Sequence, residues 1–453
     1  VTVAPPAPAR TRADRAPTVP FTVIDEAVLL LDTPWEPWSV QLEVRAGGRL
    51  DEDRLRAAVG TALRRHPMAL ARMLPARKRD HRYGWELTAE PDVDPLRVVE
   101  CPDDAALVEA RSELYSLAVP LAESPPLRLR LARHPGGDLL MVGVNHVAFD
   151  GFGAVRLLQS VARAYTGDPD PADPVDLAEA RDVHRHLAAP DTSVRALRRR
   201  ALARKLADLA VRPARLAPEG GTDRPGYGFH HLALAADRTA ALAAQDLAGT
   251  VNDRLVAALH LAVAAWNRAR GERARHVGVL VPVNLRPHGW QHDVVTNFVL
   301  DARVATTARH HASPRLVLEA VVAESERIKA GSGAALIEVL GRSPTVPLWA
   351  KEPMSAALWL TGNRLVDTAV LSNLGRLDEL PGFGPEAPEA PGEIWFSAPA
   401  RMPCGLSIGA VTVGGRLHLA FRYRHPVFDA AGAGRFAACY LEALARVVEA
   451  ARG

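Results

Sequence analysis

Apolar residues along this chain recur at two periods, and the alternation between those periods lays out the elements. Leu139-Leu140-Met141-Val142-Gly143-Val144 is a short uninterrupted apolar run, the pattern of a buried strand. Leu127 to Ala132 precedes it across His134-Pro135-Gly136-Gly137, which predicts a hairpin and makes the second strand central. Val40 to Val44 alternates as a strand does, after a folded part that opens at Phe21. Helical spacing runs from Asp51, a capping residue, to His66, with Leu55, Ala58, Val59 and Ala62 on one face and Pro67 as the stop. It returns from Gly153 through Val161 to Tyr165, where Gly167 ends it.

The second half repeats the mixture. His230 to Leu234 reads as a strand, 235–243 as a helix, and Thr250 caps a long helix through Ala257, Leu261 and Trp266. Val277 to Val283 is a core strand, and Ser313-Pro314 starts a helix that ends near Gly331. Strands occupy 366–371, 394–397, 406–413 and 417–423, and a last helix covers 431–448. Between the halves, Arg195, Arg198, Arg199, Arg200, Arg204, Lys205, Arg212 and Arg215 face a single acid, Asp208, along an apolar stripe of leucines. We read 1–20 as a flexible leader, 21–185 as the N-terminal half, 186–227 as a basic linker and 228–453 as the C-terminal half.

Composition narrows the class. At 453 residues the chain is comfortable for two cores, and 48% hydrophobic with 24% charged residues is ordinary for a globular enzyme. The net charge of +3 is too small a surplus for a nucleic-acid-binding protein. No apolar segment reaches the ~18 residues of a membrane span, and the Pro/Ala/Arg-rich start has no apolar stretch of a secretory signal. Cys101, Cys404 and Cys439 are odd in number and far apart, as expected of reduced thiols in the cytoplasm.

Candidate chemistry concentrates in Asn145-His146-Val147-Ala148-Phe149-Asp150-Gly151, at a corner between a core strand and a helix. A neutral imidazole at such a corner is a ready general base, since its ordinary pKa is ~6.5. Asp150 is a brace rather than a second catalyst, and Gly151 permits a tight turn beside it. From the residues alone the bland alternative stands equally: a satisfied core histidine and, four residues on, a helix cap. Other features argue against themselves. His66 precedes a proline at a helix end, a structural setting. Gly405-Leu406-Ser407-Ile408-Gly409 matches a nucleophile elbow, but Ala410 to Leu417 reads as a strand and hairpin turn, not the helix an elbow requires. The pairs His230-His231 and His310-His311 have no Cys or carboxylate cluster, so no metal is expected and both pairs read as surface features.

Asn145 to Gly151 resembles the H-H-x-x-x-D-G signature of the CoA-dependent acyltransferase superfamily, which includes chloramphenicol acetyltransferases, condensation domains of nonribosomal peptide synthetases and mycobacterial polyketide-associated acyltransferases. Leu63-Arg64-Arg65-His66-Pro67, Pro126-Leu127-Arg128-Leu129-Arg130, Thr250-Val251-Asn252-Asp253, Pro282-Val283-Asn284-Leu285-Arg286, Asn297-Phe298 and Ser372-Asn373-Leu374-Gly375 resemble further family blocks in the family's order, over roughly residues 20–450. Two departures are Asn145, where a first histidine is usual, and the lack of the plant branch's D-F-G-W-G block.

The resemblance implies an α/β fold of two chloramphenicol acetyltransferase-like halves, each a mixed sheet flanked by helices, forming a V around a central channel. It implies that His146 is the catalytic base and that Arg286 pairs with Asp150 across the halves. Asn145, Asn297, Ser372 and Asn373 are the candidates for oxyanion donors or channel residues, because acyl transfer needs donors aimed at its tetrahedral intermediate. The implied protein is a free-standing cytoplasmic acyltransferase of natural-product or lipid metabolism with no permanently bound cofactor. Acyl-CoA or an acyl-phosphopantetheine on a carrier protein is the co-substrate, and a small alcohol or amine is the acceptor. The basic linker would steer such anionic donors. Two other readings stay open: amide-forming condensation, and a non-catalytic carrier-binding member in which Asn145 marks a degenerate site.

Overall fold

A computed structural model of the chain describes residues 16–171, 176–183, 209–287, 294–329, 346–351, 361–378 and 392–452, with a few further residues between these stretches. The N-terminal half contains β1 (Thr18–Pro20), α1 (Val23–Leu29), β2 (Ser39–Arg45), α2 (Glu52–Arg65), β3 (Ala71–Met73), β4 (Gly84–Leu87), β5 (Leu96–Glu100), α3 (Asp104–Ser116), β6 (Leu127–Arg133), β7 (Leu139–Asn145) and α4 (Gly151–Thr166). The C-terminal half contains β8 (Tyr227–Ala233), α5 (Ala236–Leu242), α6 (Val251–Ala269), β9 (His276–Asn284), β10 (Val299–Thr307), α7 (Pro314–Lys329), β11 (Ala369–Arg376), β12 (Ile394–Ser397), β13 (Leu406–Val413), β14 (Arg416–Arg424) and α8 (Ala430–Ala451).

Local sequence explains the helix ends. Asp51 accepts a hydrogen bond from the Arg54 N–H at the start of α2, and Thr250 and Asp253 form a reciprocal capping box at the start of α6. Gly167 stops α4 in the left-handed region at φ 87°, which costs glycine nothing. The apolar face of α2 packs against α4, which also covers β2. His66, at the end of α2, is buried, with Nε2 2.8 Å from the Ser160 Oγ of α4; it is part of that packing.

Two larger sheets carry the halves. The first has the order β12-β2-β7-β6-β5, with β7 in the middle and buried along its whole length, which is why its sequence is continuously apolar. The second has the order β10-β9-β11-β13-β14-β8, with β11 parallel to β9 and to β13. Helices α6, α7 and α8 pack on one another beside it. A small sheet β1-β4-β3 extends the N-terminal half. Each half is a mixed α/β layer structure; the C-terminal half has a core of its own, whereas the N-terminal core continues into Val295, Phe298, Leu374 and Phe396 of the other half.

The halves exchange a strand. β12 comes after β11 in sequence yet pairs antiparallel with β2 at the edge of the first sheet, from Ile394↔Val44 to Ser397↔Gln41. Gly409 of β13 permits the crossing: a Cβ there would lie 1.8 Å from the Phe396 carbonyl oxygen. The boundary at 228 therefore divides sequence but not sheet membership. The alternation in β2 also proves two-sided burial. Its polar residues are buried as well: Gln41 Oε1 accepts from Ser397 Oγ of β12 (2.5 Å), and Glu43 takes a bidentate pair from Arg111 of α3 in the same half (2.6 and 2.7 Å).

Some expectations need correction. The histidine pairs are not surface features throughout. His231 stacks on Trp395 with centroids 4.7 Å apart, and His311 is buried with Nε2 2.8 Å from Thr306 Oγ1. The strand β10 and the helix α3 are two further elements that the apolar pattern does not announce. β10 carries Asp301 and Arg303 among its apolar residues and lies at a sheet edge, so its period is weak. Arg195, Arg198, Arg200, Arg204 and Lys205 of the basic linker lie outside the described residues. Arg215, at its end, is a structural clamp: its guanidinium donates to the carbonyls of Asn363, Val366 and Asp367.

Candidate active site

The corner after β7 is held by backbone and by one side chain. The N–H groups of Ala148 and Phe149 donate to the Asn145 carbonyl (3.1 and 3.2 Å), and Asn145 Oδ1 accepts from Val147 N–H (2.9 Å). The Asn145 amide nitrogen donates to Asp32 Oδ2 and the Val119 carbonyl, both 2.9 Å. Asn145 is thus a strut behind the corner, and it does not line the cavity that His146 faces. The N–H of His146 donates to the Trp38 carbonyl (2.9 Å), while Asn297 Nδ2 donates to the carbonyl of His146 (2.7 Å). One histidine backbone is therefore gripped from both halves.

Asp150 is both a helix cap and an ion-pair partner. Its Oδ1 accepts from Gly153 N–H at the start of α4 (2.8 Å), and its Oδ2 accepts from Phe298 N–H (2.7 Å). The Arg286 guanidinium meets the same carboxylate bidentately, at 2.5 and 2.9 Å, with both side chains almost fully buried. Arg286 Nη2 donates further to the carbonyls of Val294 (3.1 Å) and Thr296 (2.9 Å). Gly151 and Gly153 bring the helix start against the other half: a Cβ on Gly151 would come 2.7 Å from Leu374, and one on Gly153 2.9 Å from the Thr296 carbonyl.

These contacts enclose a cavity of about 100 Å³. Its walls come from both halves: Trp38, Val40, His146 and Phe152 on one side, Leu280, Pro282, Asn284, Val299, Asp301, Ser372, Asn373 and Leu374 on the other, and Phe396, Ala398 and Pro399 from the exchanged segment. His146 is 9% exposed. Its Nδ1 is sealed from solvent and makes no hydrogen bond of normal geometry, which leaves Nε2 as the nitrogen available to the cavity. Burial pushes the imidazole pKa below its usual 6.5; the Asp150 carboxylate and the nearby carbonyls of His146 and Phe149 oppose that without outweighing it. The ring is accordingly neutral near pH 7.

Of the residues singled out in sequence, His146, Asp150, Gly151, Ser372 and Asn373 line the cavity. Arg286 stands behind Asp150, and the amides of Asn145 and Asn297 are engaged elsewhere. Asn373 Oδ1 accepts from Gly375 N–H (2.8 Å). Sequence reasoning missed Trp38, Phe152, Asn284 and Asp301. Asn284 lies within one of the blocks that carry the family resemblance, but Asp301 sits on β10, where no periodic signal marks the strand. Among the described residues no group of three or more His, Cys, Asp or Glu side chains is placed to hold a metal, and no helix is long and apolar enough to cross a membrane.

Two proteins of Mycobacterium tuberculosis, Rv2305 of strain ATCC 25618 / H37Rv and MT2362 of strain CDC 1551 / Oshkosh, are each 34% identical to this chain over 432 residues, covering 94% of it and 99% of their own length. The chain belongs to their family. Both relatives are described as uncharacterized, and no family model matches the chain. Its fold is that of condensation domains. The first condensation domain of the calcium-dependent antibiotic synthetase, in complex with substrate analogue 3a, superposes with a TM-score of 0.68 at 16% identity, over 96% of this chain and 97% of that one. A mutant starter condensation domain of rhizomide synthetase RzmA, in complex with C8-CoA and Leu-SNAC, gives 0.65 at 14% identity over 96% and 95%. The epimerization domain from the third module of tyrocidine synthetase B gives 0.66 at 16% identity over 98% and 99%.

Proposed function

We propose that this family member is a cytoplasmic acyltransferase that moves an acyl group from a thioester, of CoA or of carrier-bound phosphopantetheine, to an alcohol or amine acceptor in natural-product or lipid metabolism. The observation that carries the reading is His146: a neutral imidazole, fixed from both halves, whose free nitrogen faces a cavity walled by both. His146 Nε2 takes the acceptor's proton as its oxygen or nitrogen attacks the thioester carbonyl. The tetrahedral intermediate collapses, the C–S bond breaks, and the thiolate leaves with the proton from His146. No acyl-enzyme is needed, because the thioester is already activated. Ser372 and Asn373 line the cavity, which supports a role for them as oxyanion donors, while Asp150 and Arg286 hold the corner that presents the base.

General-base assistance supplies ~10²–10⁴ in rate, so positioning in the cavity must supply the rest. The resemblance to condensation domains supports an amine acceptor as well as an alcohol, and one experiment separates them. The purified protein is incubated with acyl-CoA and acyl-carrier thioesters beside alcohol and amine acceptors, with thiol release and product mass monitored together. We expect acceptor-dependent thiol release matched by an ester or an amide. Thiol release without an acylated acceptor, or none with any pairing, contradicts the proposal and favours a carrier-binding protein without catalysis.

A further inference from the structure

The β3–β4 hairpin ends in a loop, residues 74–83, that carries Arg77, Lys78, Arg79 and Arg82, all exposed. Among the described residues none of these four is in an ion pair. The acids around them are committed: Glu86 and Asp92 to Arg72 of β3 (2.7 Å each), Glu26 to Lys351 (2.8 Å), and Asp80 to the N–H of Arg77 (2.7 Å). The loop is also tied down. Leu348 N–H donates to the Asp80 carbonyl (2.9 Å), Trp349 N–H to the Lys78 carbonyl (3.1 Å), and Lys351 Nζ to the His81 carbonyl (2.8 Å). Leu348 is buried by this docking, whereas its neighbour Trp349 is 58% exposed. A large amphipathic ring is thus held next to a cationic tip, and among the described residues neither has a protein partner for its exposed side chain.

We propose that this tip docks the protein on a bilayer surface rich in anionic lipid, its cations on headgroup phosphates and the Trp349 ring in the interfacial layer. A specific protein partner requires roughly 800 Å² of each surface in complementary shape. A hairpin tip with one tryptophan presents little of that. A headgroup layer is deformable and responds to clustered positive charge and an amphipathic ring without shape complementarity. The inference stands apart from the proposed reaction, since neither the loop nor Trp349 lines the cavity.

The test is flotation of the full chain with vesicles of phosphatidylcholine alone or mixed equally with phosphatidylglycerol. Wild type is expected to float with the mixed vesicles only, and to be released at about 1 M salt, where the screening length is ~3 Å. Arg77→Gln, Lys78→Gln and Arg79→Gln together should weaken binding ~100-fold, at ~5-fold per charge. Trp349→Ser should weaken it at unchanged charge, which nonspecific electrostatics does not predict. Both variants should melt as wild type does. Failure of wild type to float, flotation undiminished in both variants, or capture on polyglutamate beads in preference to anionic vesicles would each overturn the proposal, the last by pointing to an acidic protein instead.

Discussion

Asp150 shows how one carboxylate can satisfy two readings that look like alternatives in sequence. Capping α4 occupies Oδ1, yet both oxygens still accept from Arg286, so cap and brace coexist. Removing one partner leaves a buried charge uncompensated, at a cost of about 3–5 kcal/mol. Arg286→Ala and Asp150→Asn are therefore each expected to lower the unfolding free energy by that order and to reduce turnover, as urea titrations beside a rate assay would record. Two variants that unfold like wild type would remove the pair from the account. At this scale the sequence speaks unevenly. His146, Asp150 and Gly151 fall in one run at a predicted corner, so their grouping is legible. The partnership with Arg286, 136 positions away, comes through family resemblance, because no local pattern encodes it. Asn145 gives no sign in sequence that its amide turns to Asp32, a loop residue far from it along the chain.

The elements are most legible where burial is one-sided or complete. The continuous run of β7, the capped helices α2 and α6 and the β6–β7 hairpin all rest on strong local signals. The G-x-S-x-G match belongs to the same scale, and the structure gives each member a structural task. Gly405 takes φ 68°, Ser407 is buried and donates to the Ala398 carbonyl (2.7 Å), and Gly409 clears the path of β12. The hidden histidines carry a prediction. Thr306 Oγ1 on β10 sits 2.8 Å from both His260 Nδ1 of α6 and His311 Nε2, bridging two elements. Burial pushes His260 down to about 3 and His311 down to about 4 from an ordinary 6.5. Above pH 6.5 both rings are neutral, folded or unfolded, and contribute nothing to pH dependence. As pH falls below 6.5 the unfolded chain takes up protons that the folded one refuses, so stability declines toward pH 4 by roughly 1 kcal/mol per unit per histidine. His260→Gln with His311→Gln should flatten the acid limb of a Tm-against-pH curve; an unchanged limb would assign acid lability elsewhere.

For the whole molecule the deciding feature is the strand exchange, and nothing in a single sequence reveals it. Ile394 to Ser397 reads as an apolar strand, but which sheet accepts it depends on pairing with β2, some 350 residues earlier. Without β12, the β2 edge is an unpaired strand edge and Phe396 leaves the wall of the cavity. The halves are therefore expected to fold as one unit. Expressed separately, 21–185 should aggregate; coexpressed with 186–453 it should copurify as a complex, visible by size-exclusion chromatography. A monomeric, well-folded 21–185 fragment would show that the exchange adds little.

The shared cavity makes His146 the point on which the account turns. The most direct measurement is kcat/KM against pH for wild type and His146→Ala, with melting curves alongside. Wild type should lose activity on the acid side with a midpoint below 6.5, because burial holds the imidazole neutral to lower pH. His146→Ala should lose ~10²–10⁴ in rate and that acid limb while melting as wild type does. A folded His146→Ala protein that retains near-normal turnover, or the same acid limb, would contradict the account.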